Sequence, residues 1–141
     1  MVNKYNIDEE MIYLEKKIIE IINNDEDIIK QRWSIGLVLS MTEIRCTDKR
    51  IYDDILRRLA EKLNLRDFEL NHLILYYNFY NTHFNLFNKN FKYSEKLLDW
   101  QSYVILMEIN NDQIRKKLEF SAYENKWNHQ YLSYNVKKYL D

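Results

Sequence analysis

The sequence predicts an all-α fold, a single compact bundle of about six to seven helices with an N-terminal helical arm. The 141 residues include no proline and one glycine, whereas the turns of most β-sandwiches and the phosphate loops of α/β folds use several glycines. Apolar residues recur at helical spacing, and no segment alternates as a half-buried strand does. We therefore expect one domain over residues 1–141, with the arm helix in 1–25 and the bundle in 26–141.

The first helix is predicted to begin at Asp8, a favourable N-cap, and to end at the Asn pair 23–24. The second is predicted to run from about Asp25 to Arg45. It contains the only glycine, Gly36, which costs about 1 kcal/mol relative to alanine in a helix interior. We expect another helix to pack closely beside Trp33, because such a contact requires a residue without a side chain at position 36.

The third helix is predicted to extend from a cap at Thr47 or Asp48 to about Leu63. The fourth is predicted to extend from a cap at Asp67 through about Thr82. Apolar residues surround almost its whole circumference, which is typical of a helix packed between others. We therefore expect the fourth helix to be central.

The second half of the chain contains three further predicted helices. Residues 83–93, rich in Asn and Phe, indicate an irregular loop. Ser94 begins the fifth helix, which the Asn pair 110–111 ends. Asp112 caps the sixth helix and Asn128 caps the last.

Cysteine content indicates the cellular compartment, and net charge indicates which kinds of binding partner are favoured. A single cysteine, Cys46, cannot form an internal disulfide, which favours an intracellular, cytoplasmic protein. Residues 1–25 lack the apolar block of a signal peptide, and we expect no membrane span. The net charge is −1, divided as −4 over residues 1–30 and +3 over residues 31–141. That basic excess permits nucleic-acid binding without indicating it strongly.

A series of landmarks then resembles the N-terminal domain of the YhcG-like family over roughly residues 28–140. They are Trp33-Ser34-Ile35-Gly36, Tyr52, Leu59 through Leu63, Phe68, Leu73, Tyr76, Phe79, Tyr80, Leu98, Trp100, Tyr103, Asp112, Arg115, Ala122, Trp127 and Leu132. In that family this helical module usually precedes a PD-(D/E)xK-type nuclease domain. The resemblance implies a nucleic-acid-directed or partner-docking module, and we expect the chain to carry it without the nuclease domain.

Several polar positions of the family pattern are changed. His72 replaces an Asn, Tyr77 replaces an Arg, Ser102 replaces a His, and Asp53 replaces a Gly. The apolar framework is kept while these polar positions are lost. The resemblance therefore implies a shared fold more than a shared binding surface.

Residue spacing gives no indication of an enzyme. His72, His83 and His129 are far apart, and Cys46 has no second cysteine, so zinc-ligand spacing is absent. One glycine cannot build a phosphate-cradling loop. We expect no metal, no cofactor and no catalytic residue. Cys46 is interpreted as an incidental thiol, and His72 as a hydrogen-bonded core residue, with an acid–base role as the less favoured alternative.

Two groups of basic residues predict contacts to phosphates of a nucleic acid. They are Arg50, Arg57, Arg58 and Lys62 on the third helix, and Lys116, Lys117, Lys126, Lys137 and Lys138 in the last two helices. Aromatic residues in the 83–93 loop are candidates for stacking on unpaired bases. In the alternative, Asp53, Asp54 and Glu61 lie one turn from the arginines and neutralise them.

The first helix also suggests a protein contact. Its apolar residues Met11, Leu14, Ile18 and Ile21 either cover the core or form an interface, to a second copy or to a larger complex. The leading hypothesis is a non-enzymatic nucleic-acid-binding or complex-docking module. The alternative is a small inhibitor, encoded by a virus or mobile element, that blocks a host defence complex such as a CRISPR effector through protein contacts.

Overall fold

The computed structural model describes residues 6–24, 27–87 and 97–140, and within those ranges it contains helices and turns but no strand. The all-α prediction is confirmed. The helices are α1 (Ile7–Asn24), α2 (Ile28–Cys46), α3 (Lys49–Leu63), α4 (Leu70–Thr82), α5 (Trp100–Met107), α6 (Asp112–Asn125) and α7 (His129–Leu140).

Short polar side chains cap most helix N-termini, as the sequence suggests. The Asp48 carboxylate accepts from the Arg50 amide at 2.9 Å, and the Asn128 side-chain oxygen accepts from the Tyr131 amide at 2.8 Å. Both caps were predicted and are confirmed. Such a bond satisfies one of the amides that the first turn of a helix leaves without a backbone partner.

Three predicted caps are wrong by one or two residues. Asn6, not Asp8, caps α1 and accepts from the Glu9 amide at 3.1 Å. Asn111, not Asp112, caps α6. Asp67 does not begin α4, because its backbone is left-handed with φ 71° and its carbonyl instead accepts the Tyr76 hydroxyl at 2.6 Å.

The fifth helix also begins later than predicted, at Trp100. The predicted start at Ser94 lies outside the described residues, as does the loop over 88–93, but Leu97 and Leu98 are described and are not helical. The Leu98 amide donates to the Tyr103 hydroxyl at 3.3 Å, which replaces its helical hydrogen bond. Asp99 then caps α5 by accepting from the Ser102 amide at 2.8 Å.

The contacts divide the chain into two compact units, Met1–His83 and Phe84–Asp141. In the first unit α2 crosses α4 at Gly36, where an added Cβ would lie 2.1 Å from the Tyr76 carbonyl oxygen. Next to this contact the Trp33 and Tyr80 rings meet edge to face at 5.1 Å. The predicted close helix contact beside Trp33 is confirmed.

Helix α4 is less enclosed than predicted. It buries Leu73, Tyr76 and Phe79, but the Ile74 side chain is 43% exposed. Of the described elements, α2 and α3 pack against α4 extensively. The apolar surface of α4 therefore exceeds what its neighbours cover, and part of it faces a cleft.

The second unit contains α5, α6 and α7, each in contact with the other two. Its fully buried side chains include Tyr103, Leu106 and Leu132. The Tyr103 and Tyr123 hydroxyls lie 2.6 Å apart, so the buried Tyr103 phenol is hydrogen-bonded to the half-buried Tyr123. Helix α7 is therefore held in place by its packing against α5 and α6.

Candidate functional site

The basic residues of α3 are largely paired with carboxylates. Arg57 and Arg58 both reach Asp54, with nitrogen–oxygen distances of 3.9 and 2.9 Å. Lys62 lies 3.0 Å from Glu15 of α1. Arg50 is exposed and makes no ion pair within the described part of the chain. Pairing within α3, the alternative interpretation, therefore holds for Arg57 and Arg58 through Asp54, whereas Lys62 is paired from another helix.

Lys116 and Lys117 of α6 are exposed, as a phosphate-contacting role requires. Their neighbour Arg115 is buried. Its guanidinium donates to the Ile109 carbonyl at 3.2 Å and pairs with Asp112. Arg115 therefore holds the turn between α5 and α6, while the two lysines are directed to solvent.

The predicted interface on α1 is wrong for most of its residues. Met11, Leu14 and Ile18 are buried, because this face of α1 packs against α2 and α3, and Ile21 is half-buried. These residues belong to the core of the first unit, which was the other interpretation of the pattern. The buried Glu10 carboxylate accepts two bonds from Arg45, at 2.9 and 3.0 Å, and fixes α1 on α2.

A row of contacting aromatic rings, which was not predicted, begins in the turn before α7 and continues along that helix; Trp127 is half-buried, and Tyr131 and Tyr134 are exposed. The Trp127 and Tyr131 ring centroids are 5.1 Å apart, and those of Tyr131 and Tyr134 are 6.1 Å apart. The Lys138 ammonium lies 4.6 Å from the centre of the Tyr134 ring. We call these four residues the aromatic stripe. Tyr131, Tyr134 and Lys138 are three and four residues apart, which places them on one face of α7, a signal that the sequence contains. Trp127 joins them from the turn before that helix.

The two tyrosines of the stripe face solvent, and the helix that carries them packs on the core of its unit. Tyr131 is 51% and Tyr134 56% exposed, whereas Leu132 and Val136 on the opposite face are buried. The Trp127 amide donates to the Ala122 carbonyl at 3.1 Å, which fixes the start of the stripe on the end of α6. The rings are therefore presented outward by a helix that is anchored in the core of its unit.

The charge around the stripe is entirely positive along the chain. Residues 126–140 contain Lys126, Lys137 and Lys138 and no Asp or Glu. At the start of α7, the His129 ring nitrogen lies 3.0 Å from the Asp99 carboxylate. Partial burial acts to raise the pKa of Asp99, but the bonds from His129 and Ser102 outweigh it and lower that pKa. This end of α7 is therefore held to α5 by a charge-assisted contact.

The first unit contains a second candidate, a cleft of about 530 Å³ between α3 and α4. We call it the α3–α4 cleft. Its lining includes Glu43, Tyr52, Leu56, Arg57, Ile74 and Tyr77. The Tyr77 hydroxyl donates to the Glu43 carboxylate at 2.6 Å, and the Tyr52 and Tyr77 ring centroids are 5.6 Å apart.

The two tyrosines of the cleft are held in the neutral form. Burial and the bond to Glu43 raise the pKa of Tyr77 to about 12. Burial, with the nearby Tyr77 and Glu43, raises the pKa of Tyr52 even further. The Tyr52 side chain is 4% exposed and its hydroxyl is buried without a hydrogen-bond partner in the described structure. Such a group is rare in proteins, since its desolvation is not compensated.

The histidines and the cysteine lie in separate surroundings. The described residues contain no group of three His, Cys, Asp or Glu side chains that could hold a metal ion. Cys46 is buried, and its thiol donates to the Asp48 carbonyl at 3.3 Å. His72 is half-buried beside Glu69 at 2.7 Å, so the prediction of a core histidine is wrong because this side of α4 reaches solvent.

Among the described helices, none combines the length and apolar character that a membrane crossing requires. Comparisons of the chain with protein-family models, with curated proteins and with solved structures give no match. The resemblance to the YhcG-like N-terminal domain therefore stays a prediction, and the chain's own geometry has to support any function.

Proposed function

We propose that the chain is a non-enzymatic protein that binds single-stranded nucleic acid through the aromatic stripe of α7. The observation that carries the proposal is a set of mutually contacting rings, two of them exposed, that ends in a lysine within a stretch of sequence free of carboxylates. Aromatic side chains that stack on bases and lysines that contact phosphates are the two elements of sequence-tolerant single-strand binding.

The rings supply the stacking surface. Tyr131 and Tyr134 leave about half of their surface in water, although the core of the unit buries Tyr103 fully. Stacking on an unpaired base is worth roughly 1–3 kcal/mol per base. The faces of paired bases are covered by their neighbours in a duplex, so the stripe favours single strands of DNA or RNA.

The lysines supply the electrostatic attraction. Binding to a single strand weakens with salt by a slope of about 0.7 for each phosphate neutralised. With Lys126, Lys137 and Lys138 as three contacts, the affinity is expected to fall about 20-fold between roughly 50 and 200 mM salt. The lysines of α6, Lys116 and Lys117, extend this prediction to longer strands.

The test is a titration of labelled oligo(dT), oligo(rU) and a duplex of equal length, followed by fluorescence anisotropy. The variant Tyr131→Ala/Tyr134→Ala is expected to weaken single-strand binding by about 30-fold or more, since two stacks are lost. The control is Arg57→Ala/Arg58→Ala, which removes two exposed cations on α3 in the other unit. That control is expected to bind nearly as the wild type does.

Two results would contradict the proposal. One is the absence of single-strand binding by the wild type at about 50 mM salt, where electrostatic attraction is strong. The other is a Tyr131→Ala/Tyr134→Ala variant that binds like the wild type while the α3 control loses binding. The second result would show that the nucleic-acid interface lies at Arg57 and Arg58, as the sequence predicts.

A second candidate function is protein contact through the outer face of α1 and α2. Ile12 is 63% and Ile44 65% exposed, and both side chains are apolar. Such residues support a homodimer or the blocking of a partner such as a host defence complex. Light scattering tests the homodimer: a dimeric mass that Ile12→Lys/Ile44→Lys converts to a monomer supports it, and a monomer at all concentrations removes it.

A further inference from the structure

We propose that the aromatic stripe selects unpaired pyrimidine runs, such as oligo(dT) or oligo(rU), over runs of adenine, because it holds neighbouring bases apart. This preference rests on the proposed function, single-strand binding by the stripe, and narrows its class of ligand. It follows from the spacing and the inclination of the rings, which a bound strand has to match.

The rings of the stripe are farther apart than stacked bases. The Tyr131 and Tyr134 ring centroids are separated by 6.1 Å, and those of Trp127 and Tyr131 by 5.1 Å. Successive bases stacked in one strand are about 3.4 Å apart. Two neighbouring bases that each lie on one tyrosine are therefore separated by nearly twice their stacked spacing, and they no longer stack on one another.

The rings are also not parallel. The Tyr131 and Tyr134 planes are inclined by 38°, and the Trp127 and Tyr131 planes meet edge to face at 66°. A base that entered between two rings as a parallel layer would need ring centres about 6.8 Å apart, twice the stacked spacing. Each base therefore lies on the outer side of one ring, and bases on the two tyrosines keep the inclination of those rings.

The stripe takes two bases in this way. Tyr131 is 51% and Tyr134 56% exposed, whereas Trp127 is half-buried in the turn before α7. The Lys138 ammonium lies 4.6 Å from the centre of the Tyr134 ring. Its flexible stem lets it move from the ring to a phosphate when a base arrives. The bound ligand is therefore an extended strand in which the base step at the two tyrosines is unstacked.

The cost of separating two bases depends on their identity. Adenine has two fused rings and stacks strongly on its neighbours in a single strand, whereas thymine and uracil have one ring and stack weakly. A purine also stacks more strongly on a tyrosine, which opposes this cost. That gain is the smaller of the two, because a phenol ring covers less area than the parallel purine it replaces. The stripe therefore favours pyrimidines.

The experiment compares the affinity of the full chain for three strands of equal length: oligo(dT), oligo(dA) and an abasic deoxyribose phosphate strand. All three carry the same phosphates, so their differences report contacts to bases. We expect oligo(dT) to bind about 5-fold more tightly than oligo(dA) at about 50 mM salt, and the abasic strand to bind most weakly. Warming should narrow the gap between oligo(dT) and oligo(dA), because the self-stacking of adenines melts.

Two variants and a control test the role of the ring spacing. Tyr134→Ala leaves one exposed tyrosine in the stripe, so two neighbouring bases no longer have to separate. The preference for oligo(dT) over oligo(dA) should then fall below about 2-fold, while binding to both strands weakens. Tyr134→Phe keeps the ring and should keep the preference. Lys138→Gln, the control, removes a charge and should weaken binding to all three strands alike, so that the preference stays at its wild-type value.

The pyrimidine preference and the proposed function fail in distinguishable ways. Single-strand binding by the stripe fails if oligo(dT) binds no more tightly than the abasic strand, because the rings then contribute nothing. The pyrimidine preference alone is overturned if oligo(dA) binds at least as tightly as oligo(dT) while both bind more tightly than the abasic strand. It is equally overturned if Tyr134→Ala keeps the wild-type preference.

Discussion

Replacing Gly36 by alanine tests the packing on which the first unit depends. The added Cβ would lie 2.1 Å from the Tyr76 carbonyl oxygen and 2.7 Å from the Tyr80 Cβ. Ordinary contacts begin near 3.4 Å, so the first distance is about 1.3 Å too short. The obstacle is backbone of α4, which cannot move aside by rotating a side chain. Helices α2 and α4 must therefore separate or shift along their contact.

Two opposing effects set the size of the change. Alanine favours a helix interior over glycine by about 1 kcal/mol. Forcing a group into a well-packed contact costs roughly 1–3 kcal/mol, and a clash with backbone lies at the upper end of that range. We expect Gly36→Ala to lower the free energy of unfolding by about 2 kcal/mol.

Urea unfolding measures this difference, followed by the fluorescence of Trp33, which packs against Tyr80 at the same contact. Trp100→Phe and Trp127→Phe in the background leave Trp33 as the only reporter. Ser34→Ala, two residues away on the same helix, is the control and should change stability by less than about 0.5 kcal/mol. A Gly36→Ala variant that is more stable than the parent would refute the reasoning, because only helix propensity would then be acting.

Three further predictions concern helix ends and titrating groups. Thr47 ends α2 in the left-handed region with φ 59°, a conformation that costs a branched residue roughly 1–2 kcal/mol, so Thr47→Gly should raise the melting temperature; a lower one would contradict this. The lowered pKa of Asp99 means that its contribution is present above the unfolded value of about 3.9 and is lost as pH falls below it. Asp99→Asn should therefore make the melting temperature fall less steeply between about pH 5 and 3. The difference corresponds to a few tenths of a kcal/mol in the free energy of unfolding, because the group is largely exposed. Identical profiles would count against the contact. Burial raises the pKa of both Tyr76 and Tyr77 to about 12, so the free energy of unfolding should fall as pH rises from about 10 to 12. In a titration followed by tyrosinate absorbance, Tyr77→Phe should remove one of the steps at high pH. An unchanged titration would show that Tyr77 is not held by Glu43.

Local features of the fold were predictable from the sequence. The caps at Asp48 and Asn128 follow from residue type and neighbouring spacing, and so does the close contact at Gly36, because a lone glycine inside a helix needs a reason. Asp67 looked like a cap for the same local reason. Its carbonyl instead binds the hydroxyl of Tyr76, a contact nine residues away that a propensity argument does not include.

The candidate sites were predictable only in part. Pairing of Asp54 with Arg57 and Arg58 follows from helical spacing, but the contact of Lys62 with Glu15 joins α3 to α1 and needs the tertiary fold. The spacing from Trp127 to Lys138 was visible in the sequence, yet aromatic residues at helical intervals usually mark a core. Whether the rings face inward or outward depends on which face of α7 its neighbours cover. The α3–α4 cleft depends entirely on packing.

The most direct test of the central claim is to map where a single strand binds. Backbone amide signals of the full chain are followed by NMR during titration with oligo(dT) at low salt. We expect the largest shifts at Trp127, Tyr131 and Tyr134, spreading to Lys138, with little change at Arg57 and Arg58. Shifts centred on α3, or no shifts at any residue, would contradict it.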